Sequence, residues 1–133
     1  MRRVGLVLAA FVVLGLMTPA SANGVCAANS ITPVHTSNSV VFTGNINCGT
    51  TIHKISVYTN LYRRAPGNVW LWWDGSTGSN IARKVTVTDT SQGYNCAKDY
   101  RVQTEGWADD LVGGFTHSGL NDNGGTKILF HTC

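Results

Sequence analysis

The sequence predicts an all-β fold: an immunoglobulin-like antiparallel β-sandwich of six to seven strands with two disulfides. Three observations carry this reading. Thr, Asn, Ser and Gly make up 46 of the 111 residues after Ala22, whereas Glu occurs once and Leu five times. Such residues favour strands and turns over helix interiors. Short segments alternate apolar and polar residues with a period of two, and none holds a helical spacing over three turns. Finally, four cysteines in a small exported chain read as two disulfides.

Export is read from the first residues. Met1 to Arg3 is a short positive start, Val4 to Met17 is an apolar run of 14 residues, and Ala20-Ser21-Ala22 has the small-x-small form of a cleavage site. Residues 1–22 are therefore expected to be a signal peptide, and the remaining 111 residues suit one secreted domain. Beyond Ala22 the chain has eight Lys and Arg against seven Asp and Glu, a net charge of +1. That balance excludes a strongly basic nucleic-acid binder and an acidic tail. No later stretch approaches the roughly 18 apolar residues of a membrane span. The segment 23–39 is expected to run extended, held by Cys26, ahead of a sandwich domain at 40–133.

The strands follow in order. Val40 to Cys48 places Val40, Phe42, Gly44, Ile46 and Cys48 on one face. From Lys54 to Tyr62, Ile55, Val57, Thr59 and Leu61 alternate with Lys54, Ser56, Tyr58, Asn60 and Tyr62. The Pro66-Gly67-Asn68 turn leads into Val69 to Trp73, and Gly75 to Asn80 reads as a flexible polar loop. Val85 and Val87 mark a fourth strand, Tyr100, Val102 and Thr104 a fifth, and Lys127 to Cys133 a last one after Asn123-Gly124-Gly125. Gly106 to Leu111 has room for one short helical turn.

Cys26, Cys48, Cys96 and Cys133 lie 22, 48 and 37 residues apart, too far for the close pairs of a zinc site. Cys26–Cys48 with Cys96–Cys133 is the preferred pairing, since each closes a local loop and ties down a chain end. The alternative is a cross-core Cys48–Cys96 bridge with the terminal cysteines paired.

Cys48 closing a strand, then Ile55-x-Val57, Leu61-Tyr62-Arg63, Trp70 and Cys96-x-x-x-Tyr100-Arg101 before Cys133, resembles small, mostly uncharacterised secreted β-sandwich proteins of actinobacteria. The resemblance covers residues 40–133 and implies export and a sandwich fold. It implies no activity.

No catalytic residue and no cofactor are expected. His35, His53, His117 and His131 are scattered without metal-ligand spacing, so no metal is assigned. Ser118 lacks the G-x-S-x-G frame of a nucleophile elbow. Glycoside hydrolysis needs two carboxylates across a cleft, and Glu105 with Asp109 or Asp110 is the one local cluster. Asp74, Asp89, Asp99 and Asp122 are the other carboxylates; Asp89, Asp99 and Asp122 sit beside turn residues, where Asp is common for backbone reasons. Asn121 to Gly125 looks like a calcium loop but lacks its first Asp and its bidentate Glu; a hairpin turn accounts for it. Arg63-Arg64 and Arg83-Lys84 are basic pairs suited to anionic wall polymers or lipid head groups, with solvated strand ends as the default.

The tryptophans are the most informative residues. In Val69-Trp70-Leu71-Trp72-Trp73, alternation puts Trp70 and Trp72 opposite Val69, Leu71 and Trp73, so both faces are apolar. One face is expected to meet the core. An exposed Trp70 and Trp72, about 6–7 Å apart along a strand, would match stacking on sugar rings, with Trp107 adding to the surface. A core role for these indoles is the simpler expectation. The sequence offers no recognisable pair of catalytic groups, which favours a non-enzymatic exported module whose partner is a polysaccharide, the cell wall or an extracellular protein. A small secreted hydrolase or toxin, using Glu105, Asp109 and Asp110 or His117 and Ser118, is the first alternative. A protease inhibitor is the second.

Overall fold

The computed structural model of the chain describes residues 26–110, 117–122 and 125–133. The expected leader and its expected cleavage site lie outside these residues, as does the expected Asn123-Gly124 turn. Among the described residues eight strands follow one another: β1 (Ala27–His35), β2 (Ser39–Asn47), β3 (His53–Ala65), β4 (Val69–Ala82), β5 (Lys84–Gln92), β6 (Tyr100–Asp110), β7 (His117–Asn121) and β8 (Lys127–Leu129). They form two antiparallel sheets. The smaller has the order β1-β2-β5; the larger has the order β4-β3-β6-β7, with β8 on the same edge of β6 as β7. The chain changes sheet between β2 and β3, between β4 and β5, and between β5 and β6, as a sandwich of this class requires. Among the described residues no helix is long and apolar enough to cross a membrane.

The disulfides are Cys26–Cys48 and Cys96–Cys133, and no described cysteine is free. The first ties the start of β1 to the end of β2. The second ties the β5–β6 loop to the chain end, where Thr132 N–H also donates to the Cys96 carbonyl at 3.0 Å. The cross-core alternative is not formed.

The core has two apolar halves with a polar layer between them. Val40, Phe42, Leu61, Tyr100 and Val102 fill one half. Ala28, Ile46, Cys48, Ile55, Val57, Val87 and Ala108 fill the other. Between them the inward alternation of β1, β2, β3 and β6 brings Ser30 opposite Gly44 and Thr59 opposite Thr104. Asp122 turns into this layer, accepting hydrogen bonds from the Ser30 hydroxyl and from Thr104 N–H, the latter at 3.0 Å. Gly44 is required there because a Cβ would collide with Thr104 Oγ1 and lie 2.6 Å from Thr59 Oγ1.

Three local expectations differ from the structure. Gly75 to Asn80 is not a loop: β4 continues through it to Ala82, paired with β3 along its whole length. Gly106 to Leu111 forms no helical turn as far as Asp110, where β6 ends. Nor does either face of Val69–Trp73 meet the core. Strands β3 and β4 are 13 and 14 residues long, against nine for β2 and β5, so their hairpin overhangs the smaller sheet. With β4 also at the sheet edge, Val69, Leu71, Trp72 and Trp73 are all exposed.

Candidate functional site

The outer face of the larger sheet collects the aromatic residues. Its rungs follow from the registers of β3, whose core-facing residues are Ile55, Val57, Thr59 and Leu61. The opposite set is Lys54, Ser56, Tyr58, Asn60, Tyr62 and Arg64. Pairing then puts Trp70 beside Arg64 and Trp72 beside Tyr62 and Arg101. Tyr58 stands between Thr77 and Glu105, and Trp107 between Ser56 and Gly119. The register shift between Leu61 and Tyr62 makes Trp73 the extra residue of a bulge, which removes it from the ladder.

Two indoles on this face lie across glycines. The Trp72 ring covers Gly75, where a Cβ would come 3.2 Å from Cζ2, and its Nε1–H donates to Asn60 Oδ1 at 3.1 Å. The six-membered ring of Trp107 covers Gly119, where a Cβ would lie 3.0 Å from Cζ3. With no side chain beneath them, both rings can lie flat on the sheet. Trp72 is 60% exposed, Trp107 42% and Tyr58 39%, so each presents a face to solvent. Rungs two residues apart are about 7 Å along the strand and strands about 4.8 Å apart, so the three rings step diagonally at about 8–12 Å. Beside Trp107 is a concavity of about 510 Å³ lined by Tyr58, Glu105, Gly106, Trp107, Gly119, Leu120 and Asn121.

Trp70 shares the face with Trp72 but is half-buried under cations. The guanidinium carbons of Arg64 and Arg101 lie 5.5 and 5.0 Å from its ring centre, and Arg101 is also 4.9 Å from Tyr62. On the opposite side of the overhang Arg63 stacks on Trp73 at 3.6 Å. Such contacts fix arginine planes on aromatic faces.

Of the groups weighed for catalysis, Asp109 stands opposite His117 in the β6–β7 ladder, and Ser118 stands opposite Ala108. Glu105 and Asp109 share the outer face of β6, four residues and about 13 Å apart at their Cα atoms. The side chains of Asp110, His117 and Ser118 lie outside the described residues. Asp99 accepts hydrogen bonds from His131 N–H at 2.7 Å, from His131 Nδ1 at 3.0 Å and from Arg64 at 3.2 Å. The backbone N–H of His131, followed by that residue's ring and by Arg64, holds the Asp99 carboxyl below the usual range against the opposing effect of burial. This is a structural clasp joining the β3–β4 hairpin to the chain end. His35 stacks on Tyr94 at 4.3 Å. His53 lies beside the Cys26–Cys48 bridge, with ligand atoms of all three within 4.8 Å, but disulfide sulfurs are not the thiolates that bind metal. Arg83 and Lys84 are exposed at the β4–β5 junction.

Of the residues singled out in the sequence, Trp70, Trp72 and Trp107 share one face. Tyr58, Tyr62 and Arg101 join them without having been singled out. Their signal was available: each occupies the polar phase of an alternating strand, where a large aromatic or an arginine faces water.

A scan of known protein-family models finds no match, and comparison with curated proteins finds none. Among solved structures, the chain is similar to the solution structure of R. palustris CsgH, at 14% identity and a TM-score of 0.43 over 72% of this chain and 89% of that one.

Proposed function

We propose that the protein is an exported, non-enzymatic module that binds an extended polysaccharide on the outer face of its larger sheet. The observation that carries this reading is the pair of exposed indoles, Trp72 and Trp107, each laid over a glycine with Tyr58 between them. Flat aromatic faces match the C–H faces of pyranose rings, and an open, nearly planar strip suits a chain better than a small enclosed molecule. Trp72 is locked by its hydrogen bond to Asn60, so little side-chain freedom is lost on binding. The two disulfides suit an oxidising compartment, which supports the export expected from the first 22 residues.

Pull-down on insoluble chitin, cellulose and peptidoglycan tests the reading. The protein should be retained by at least one of them, and Trp72→Ala and Trp107→Ala should each reduce retention with an unchanged circular dichroism spectrum. Retention unaffected by both substitutions would remove this face from the account.

A further inference from the structure

Resting on the polysaccharide reading, we infer that the preferred glycan is acidic, with its carboxylates meeting Arg101 at the Trp70 end of the face. Three arginines, Arg63, Arg64 and Arg101, crowd the overhang, and three aromatic rings, Tyr62, Trp70 and Trp73, hold their planes. Arg64 is spoken for: it pairs with Asp99 at 3.2 Å and donates to Asn68 Oδ1 at 2.5 Å. Asp74, the remaining carboxylate nearby in sequence, accepts from Gly75 N–H at 2.8 Å.

Arg101 differs. It is half-buried between Tyr62 and Trp70, its side chain makes no hydrogen bond or ion pair among the described residues, and its Nε is buried without a partner. A partly desolvated guanidinium with unused donors is costly unless a ligand meets it. The planar fork fits a carboxylate in bidentate fashion. Its place on the sheet is apt as well, since Arg101 occupies the same rung as Tyr62 and Trp72. A glycan running from the Trp72 ring past Tyr62 toward Trp70 would thus bring a carboxylate to Arg101. Glu105 sits on the same face two rungs farther along β6, so the attraction is confined to the Trp70 end.

Affinity electrophoresis of the folded protein in gels containing polygalacturonate, neutral dextran or polyglutamate tests the inference. Polygalacturonate should retard the protein most, and added salt should erase its advantage over dextran. Arg101→Gln should lower the polygalacturonate affinity about tenfold, the loss expected for one charge-assisted bidentate contact, and so remove most of its advantage over dextran. Arg101→Lys, which keeps the charge and loses the fork, should fall between the two and serves where the Gln variant folds poorly. Equal retardation by polygalacturonate and dextran would overturn the inference while leaving the polysaccharide reading standing. So would equal retardation by polyglutamate, which shows charge without sugar recognition. Retardation by neither polysaccharide would overturn the reading beneath it.

Discussion

The six-membered ring of Trp107 rests on Gly119, close enough that a methyl group there would meet Cζ3 at 3.0 Å. A rigid sheet thus holds an exposed indole flat by leaving out the side chain below it. Trp72 and Gly75 repeat the arrangement on the opposite edge of the same face.

Gly119→Ala should therefore tilt the Trp107 ring without unfolding the domain. Its φ is not in the left-handed region, so alanine brings no backbone strain. Acrylamide quenching of tryptophan fluorescence should change and glycan retention should fall, with stability altered by less than about 1 kcal/mol. Gly106→Ala is the contrast. A Cβ there would run into the Ser56 backbone oxygen and lie 2.8 Å from Ile46 Cδ1. It should cost about 1–3 kcal/mol or more through overpacking. Unchanged quenching in Gly119→Ala would show that the glycine is not what flattens the ring.

The polar layer in the core predicts opposite outcomes for two neighbouring threonine environments. Asp122→Ala removes the acceptor for Thr104 N–H and the Ser30 hydroxyl and should cost about 1–3 kcal/mol. Thr59 Oγ1 is buried with no partner among the described residues. Thr59→Val, similar in shape, should be neutral or stabilising by up to about 1 kcal/mol. Urea denaturation of both variants checks the pair. A loss of more than 1 kcal/mol in Thr59→Val would place an unseen hydrogen bond on that hydroxyl.

Asp99 makes the fold acid-sensitive. Its carboxyl is held below the ordinary value by His131 N–H first, then by the His131 ring and Arg64. A carboxyl depressed on folding contributes stability above its unfolded pKa, near 4, and loses it as pH falls through the lower folded value. Wild-type stability should thus decline below about pH 4 more steeply than that of Asp99→Asn. Parallel pH–stability curves would remove Asp99 from the acid response.

The cysteine assignment fixes a mass. Secreted material should begin at Asn23 and weigh four hydrogens less than the reduced chain. Opening either bridge by Cys→Ser exchange should cost about 3–4 kcal/mol, in the loop-entropy picture for loops of 22 and 37 residues. Alkylation of cysteines without prior reduction would contradict the pairing.

What was legible in the sequence depended on burial. The strands carrying Phe42, Ile46, Ile55, Val57, Leu61 and Val102 announced themselves, because their inward residues are large and apolar and their outward ones polar. Strand β1 was hidden: Ala28, Ser30 and Pro33 point inward, and small or polar residues leave no hydrophobic alternation. The far half of β4 was hidden for a second reason. As an edge strand it carries no apolar alternation, and its glycines make room for neighbours: Gly75 for Trp72, Gly78 for Val87 Cγ2. Glycine read locally as loop; in three dimensions it is clearance. The shared face of Trp72 and Trp107 depends on pairings among β3, β4 and β6, and single-strand alternation cannot supply them.

The central claim is that Trp72 and Trp107 form a binding surface and are not core. The most direct measurement is isothermal titration or affinity electrophoresis of Trp72→Ala, Trp107→Ala and the double variant against the retaining polysaccharide, with thermal unfolding of each. At 60% and 42% exposure, each substitution should change stability by less than about 1 kcal/mol, where a core tryptophan would lose about 3–5. Stacking of this kind should cost several-fold in affinity per ring, with the double variant losing retention altogether. Variants that bind as tightly as wild type, or that unfold as core variants do, would contradict the account.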